Sequence, residues 1–250
     1  MRWVVVLLLL TALGIMFFQR PAVQTPTQQT NEEQPSSPSA NATVALGDTT
    51  FSVYWQKINA NNLSLIPNFD EKKTAREIIE EHGCQYGVNG GFYSSEHQPI
   101  GLFVARGIKS PAVTNSTFNG FFSSDGEGLS ITRNAPTATV DFAIQSGPYI
   151  TTASELRIGN DEPARRVLVA RSNAEWYFLA LTEKENTFAG PLLSDVPKIL
   201  SDLPIGIDEA LNLDGGSASA FYSASGVRFG ELTPIGSFFC FSPCLFQSRK

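Results

Sequence analysis

The chain opens on an unbroken apolar run. Trp3 to Phe18 are sixteen residues without a charge, preceded by Met1-Arg2 and followed by Gln19-Arg20-Pro21. A positive residue before a short apolar stretch is the pattern of a secretory signal or a signal anchor. No small-x-small cleavage pattern follows, so residues 1–18 are read as a signal anchor, with a cleaved signal peptide as the alternative. The rhythm then disappears over residues 19–46, which hold five Gln, four Pro, four Thr, three Ser and no aromatic residue. Such a stretch cannot bury enough apolar surface to offset the entropy of ordering it, which predicts a flexible linker. The folded domain is therefore expected over residues 47–250.

Inside that domain the periods of two and of three to four are mixed. Phe51, Val53 and Trp55 alternate with Ser52 and Tyr54, as in a half-buried strand. Asn68 and Glu71 have the spacing of a capping box, and Ala75, Ile78, Ile79 and His82 follow at helical intervals up to Gly83, which predicts a first helix. Strands are expected at Tyr86–Val88, Gly101–Ala105, Phe118–Phe122, Leu129–Thr132 and Thr139–Gln145. Val167–Ala170 and Trp176–Leu181 read as buried strands, and Glu209–Leu213 as the last strong one. Between them Leu192, Leu193, Val196, Ile199, Leu200 and Leu203 mark a second amphipathic helix. The fold class this predicts is α+β: a single domain with a large mixed, mostly antiparallel sheet system and two main packed helices.

Composition narrows the function. The net charge of −6 argues against a nucleic-acid partner, which calls for a basic face. Two His and three Cys are too few for a multi-histidine metal site or a disulfide scaffold, so the reading calls for no cofactor and no metal. Cys240 and Cys244, in Phe-Cys-Phe-Ser-Pro-Cys, are close enough for a short-loop disulfide with Cys84 left buried and free, and the same spacing is compatible with two unpaired thiols.

Gly-containing segments stand at the ends of several apolar strands, where loops tend to carry chemistry. They are Asn89-Gly90-Gly91-Phe92-Tyr93, Gln145-Ser146-Gly147-Pro148, Arg165-Arg166 before Val167, and Asn212-Leu213-Asp214-Gly215-Gly216-Ser217. Singly each is an ordinary turn, since Gly reaches positive φ without steric cost. None has the spacing of a phosphate-binding loop or a nucleophile elbow.

Taken together and in this order, from about Val88 to Tyr222, the four segments resemble the phosphodiester glycosidase family. The closing Asn-Leu-Asp-Gly-Gly-Ser carries the resemblance most specifically, whereas Val167 stands where a small or hydroxyl residue is expected after the arginines. The resemblance implies hydrolysis of a sugar-1-phosphodiester with the sugar leaving its phosphate. Its implied catalytic residues are Asp214, Asn89 and, as a weaker second carboxylate, Glu96. Substrate binding would fall to Gly90, Gly91, Tyr93, Ser146, Gly147, Gly215, Gly216 and Ser217, with Arg165 or Arg166 clamping the phosphate. Phe92 reads equally as a sugar platform or as core. The expected partners are a phosphodiester-linked glycan of the cell envelope or an exopolysaccharide, and a membrane through the N-terminal segment, outside the cytoplasm. The competing class is a membrane-tethered, noncatalytic carbohydrate-binding domain.

Overall fold

The computed structural model describes residues 41–224, 226 and 228–242 of the protein. The expected signal anchor and most of the expected linker lie outside them, as does Cys244. In chain order the first strands are β1 (Ala42–Leu46), β2 (Thr49–Ile58), β3 (Leu63–Pro67), β4 (Tyr86–Asn89), β5 (Phe103–Ala105) and β6 (Ile108–Lys109). Next come β7 (Gly120–Ser124), β8 (Leu129–Thr132), β9 (Phe142–Ser146), β10 (Tyr149–Thr151) and β11 (Arg166–Ser172). The rest are β12 (Glu175–Glu183), β13 (Glu209–Asn212), β14 (Phe221–Tyr222), β15 (Arg228–Phe229) and β16 (Ser237–Phe241). Among the described residues two α-helices accompany them, α1 (Ala75–His82) and α2 (Val196–Ser201). Among the described residues no helix is long and apolar enough to cross a membrane.

The strands form three sheets: a six-stranded one ordered β1-β2-β12-β11-β13-β10, a five-stranded one ordered β15-β14-β4-β16-β3, and another ordered β6-β5-β9-β7-β8. The ladders joining them are antiparallel, as in β2 with β12 and β11 with β13. The six-stranded sheet is buried on both faces because its central strands are apolar at successive positions, not only at alternate ones. Val167, Val169, Phe178 and Ala180 point to one side and meet Tyr86, Val88, Phe122, Phe142 and Phe239 of the other two sheets. Leu168, Ala170, Leu179 and Leu181 point to the opposite side and meet Val196, Ile199 and Leu200 of α2. Helix α1 covers the β4–β16 sheet through Ala75 and Ile78, against Ile66 and Phe238. The α+β reading with two packed helices holds.

Local details depart from the expectations. Helix α1 starts at Thr74 rather than Asn68: Thr74 accepts from the Glu77 amide while the Glu77 carboxylate accepts from Thr74, closing a capping box. Asn68 instead ties a loop, donating to the Lys73 and Ile235 carbonyls. Gly83 ends the helix at φ 63, as expected. The second helix is shorter than its apolar repeat, because Leu193–Asp195 forms a 3-10 turn ahead of it. Residues 42–46, assigned to the linker, form β1 and pair with β2, so order begins earlier than position 47. Cys84 bonds to Cys240, with Cα atoms 5.4 Å apart, so the expected Cys240–Cys244 bridge and free Cys84 are corrected. That bond joins the end of α1 to β16, two elements 156 residues apart.

Candidate active site

Strand ends from all three sheets meet at one place, and side-chain to backbone bonds hold them there. Asp214 lies two residues beyond β13, and its amide donates to the carbonyl of Gly90, just beyond β4. The Asn89 side chain closes the same junction, donating to the Asp214 carbonyl at 2.7 Å and accepting from the Ala220 amide at 2.9 Å. Ser146, at the end of β9, donates to the Asn212 carbonyl at 2.6 Å, and the Asn212 amide group donates to the Gly147 carbonyl at 3.0 Å. The Gly216 amide donates to the Arg165 carbonyl at the entry to β11. A Cβ at Gly90 would lie 2.2 Å from the Ser237 hydroxyl, so a larger residue there would require that hydroxyl to turn away.

Above this junction is a cavity of about 670 Å³. Asp214, Gly215, Gly216 and Asn212 form one part of its wall, and the Gly147–Pro148 turn another. Phe92 and Phe118 supply an aromatic side, stacked with centroids 4.6 Å apart. The loop between β10 and β11 also contributes, through Glu155, Leu156, Arg157, Asp161 and Glu162. A volume of this size suits a small-molecule ligand, and apolar ring faces with a few polar groups are what such pockets offer.

Asp214 has the most altered chemistry of the residues lining the cavity. Burial pushes its carboxyl up to about 7, and the single opposing contact is the Gly215 amide, which donates to its Oδ1 at 2.9 Å. No salt bridge to Asp214 exists among the described residues, so the cost of desolvating its charge is left uncompensated. Burial, reinforced by the Asp214 charge, also holds the Tyr93 phenol above its ordinary value.

The remaining cations and carboxylates are mostly committed. Arg166 lines the cavity, but its Nε donates to the Pro191 carbonyl and its Nη2 to the Glu162 carbonyl, with Asp161 at 3.5 Å. Burial would raise the Asp161 carboxyl, yet the Ser194 and Leu193 amides and the Arg166 charge bring it below its ordinary value. Asp161 and Arg166 thus form a neutral pair within the wall.

The sequence-derived site residues divide accordingly. Asp214, Gly147, Arg166, Gly215 and Gly216 line the cavity. Asn89 and Ser146, exposed by 1% and 0%, stand behind the wall with their side chains spent on backbone partners, so they brace the site and do not touch its contents. Arg165 is also buried, donating to the Thr187 and Gly230 carbonyls, so it does not clamp a ligand in the cavity. Gly90 and Gly91 are buried beneath the junction. Tyr93 donates to the Pro234 carbonyl and stacks on His97, outside the cavity wall. Ser217 is exposed and shares a hydrogen bond with Thr233. Glu96 is exposed and bonded to Ser95, away from the cavity, so the second-carboxylate assignment is corrected. Carboxylates that do reach the cavity, Glu155, Asp161 and Glu162, come from a loop that carries no motif. Asn212 lies inside the closing motif, but nothing in its residue type separated it from a turn.

Comparisons with known proteins bear on the family and the fold. The family model described as phosphodiester glycosidase matches residues 82–240. Among solved structures, the crystal structure of a hypothetical protein from Synechocystis aligns with a TM-score of 0.60 and 14% identity, over 80% of this chain and 60% of that one. This chain therefore spans 60% of the length of the Synechocystis protein. The catalytic domain of zebrafish N-acetylglucosamine-1-phosphodiester alpha-N-acetylglucosaminidase, auto-inhibited by its pro-peptide, aligns with a TM-score of 0.56 and 12% identity, over 83% and 84% of the two chains. At these identities the likeness to solved structures is one of fold. A comparison with curated proteins gives no match.

Proposed function

The chain belongs to the phosphodiester glycosidase family, and from that premise we propose that it hydrolyses the glycosidic C–O bond of a sugar-1-phosphodiester, with Asp214 as the general base. The observation that carries the proposal is the Asp214 carboxyl, pushed to about 7 by burial at the wall of a cavity of about 670 Å³. A base titrating there is half ionised near neutral pH and strong enough to take a proton from water.

The leaving group explains why one carboxylate suffices. A phosphodiester oxygen departs as a phosphomonoester, a weak base that needs little help from a general acid. In the step proposed, ionised Asp214 removes a proton from water as the water oxygen bonds to the anomeric carbon. The bond from that carbon to the phosphate oxygen breaks, and its electron pair leaves on the phosphate. The products are the free sugar and a phosphomonoester. Positive charge developing on the ring is stabilised by the nearby carboxylate, while Phe92 and Phe118 offer an apolar face for the ring.

The setting proposed is outside the cytoplasm, on a cell-envelope or exopolysaccharide glycan, with the protein held at the membrane by its first residues. The Cys84–Cys240 bond supports an oxidising compartment, where disulfides persist. The apolar Trp3–Phe18 run after Met1-Arg2 supports export.

Hydrolysis in oxygen-18 water tests which bond breaks. The label is expected on the anomeric hydroxyl of the released sugar, with the phosphate unlabelled. Label in the phosphate would mean attack at phosphorus, and binding without any product would leave only a carbohydrate-binding role.

A further inference from the structure

Three guanidinium groups stand at or behind the cavity, and their commitments differ. Arg165 is 4% exposed and outside the cavity, with its Nε on the Thr187 carbonyl, its Nη1 on the Gly230 carbonyl, and its charge 4.8 Å from the centre of the Phe188 ring. Arg166 lines the cavity with its charge balanced by Asp161 and its Nε and Nη2 held by backbone carbonyls. Arg157 lines it too, from the loop between β10 and β11, and is exposed. It has no hydrogen bond and no ion pair among the described residues. Among the described residues no lysine lines the cavity.

We propose that Arg157 is the residue that binds the substrate's phosphate, a role that rests on the glycosidase reading for its chemistry but on the cavity's geometry for its place. A guanidinium that is already bonded must give up its partners before it takes a new anion. An unbonded one gives up only water, and its planar fork matches two phosphate oxygens. Arg157 sits on the same cavity as Asp214, so a ligand spanning the two carries its phosphate on the loop side and its anomeric carbon on the Asp214 side. The assignment differs from the sequence expectation, in which Arg165 or Arg166 was the clamp. It also gives the loop between β10 and β11 a binding role, with Asp161 and Arg166 anchoring one end of it to the body of the protein.

Titration of the whole protein with methyl phosphate, followed by phosphorus NMR, tests this directly. The probe has no sugar and no bond for the enzyme to cleave, so its binding is read without turnover. Arg157→Gln is expected to weaken methyl phosphate binding at least about tenfold, as loss of a charge-assisted bidentate contact does, and Arg157→Lys to restore part of it. Thermal unfolding of both variants should match the wild type, because the side chain holds nothing else in place. Unchanged binding by Arg157→Gln, or no binding by the wild type at about 50 mM probe, far beyond the usual range for a specific anion site, overturns the proposal. Turnover of a sugar-1-phosphodiester by wild type and variant separates the two claims. If the wild type turns over and Arg157→Gln matches it, the phosphate assignment falls and the glycosidase stands. If methyl phosphate binding depends on Arg157 while the wild type releases no sugar, the phosphate site stands and the glycosidase falls.

Discussion

Asp214→Asn separates the charge of this residue from its shape, and the structure sets the size of the effect. Asn keeps an oxygen able to accept the Gly215 amide, the one hydrogen bond to the carboxylate, so the local turn should persist. What disappears is the cost of holding a buried charge. The carboxyl lies at about 7 in the folded protein against 3.8 for an ordinary aspartate. That gap is worth about 4 kcal/mol, at about 1.4 kcal/mol for each pH unit. The sign follows from linkage. With a raised folded value, the native state binds more protons than the unfolded chain between about pH 4 and pH 7. The contribution of Asp214 is therefore intact below pH 4 and is lost as pH rises through about 7. Asn does not titrate, so the stability of the variant minus that of the wild type should grow by up to about 4 kcal/mol from pH 4 to pH 8. Urea unfolding of both proteins across that range measures the difference with every other ionisable group cancelled. Turnover should fall at least about a hundredfold in the same variant, as for loss of a catalytic base. A stability difference that stays flat from pH 4 to pH 8 would mean an ordinary carboxyl, and retained turnover would reduce Asp214 to a turn-capping residue.

A base that works ionised requires kcat/KM to rise with pH and level off above about 7. A rate that falls through that value would instead assign Asp214 the role of acid. The Cys84–Cys240 bond closes a loop of 156 residues, so Cys240→Ser should lower stability by about 5 kcal/mol in denaturant unfolding. Mass spectrometry of the unreduced protein should find the Cys84 and Cys240 peptides linked, and a Cys240–Cys244 link would refute the topology.

Much of the fold was legible because its strongest signals are local. The Ala75, Ile78 and Gly83 spacing fixes α1 and its end, and the apolar runs at Val167 and Trp176 mark the strands of the central sheet. The start of α1 was misplaced because Asn68 with Glu71 and Thr74 with Glu77 have the same spacing, and only the tertiary bonds of Asn68 to Lys73 and Ile235 choose between them. Strand β1 was hidden in a Pro- and Gln-rich context whose composition outweighed five residues of Ala-Thr-Val-Ala-Leu. Strand β16, Ser-Phe-Phe-Cys-Phe, is buried at every position and has no period of two to detect.

The site was legible in a different way, and the difference has a physical cause. The polar motif residues bond mainly to backbone: Asn89 to Asp214, Ser146 to Asn212, Arg165 to Thr187 and Gly230. A cavity built where strand ends of three sheets meet has no single element to shape it. Its floor must be tied by buried side chains that satisfy the loose carbonyls and amides at those ends. Such ties demand a particular residue at a particular place, and so they make a recognisable motif whether or not they touch a ligand. Arg157 and Glu155 need no such fit, since they stand exposed on a loop facing the cavity, and they leave no trace in the spacing of the sequence. Here the motifs locate the floor of the site, and Asp214 is the motif carboxylate whose side chain also faces the cavity. Under the proposed function, discrimination among substrates would belong to the exposed side chains of that loop, Glu155 and Arg157, which are no part of the junction beneath.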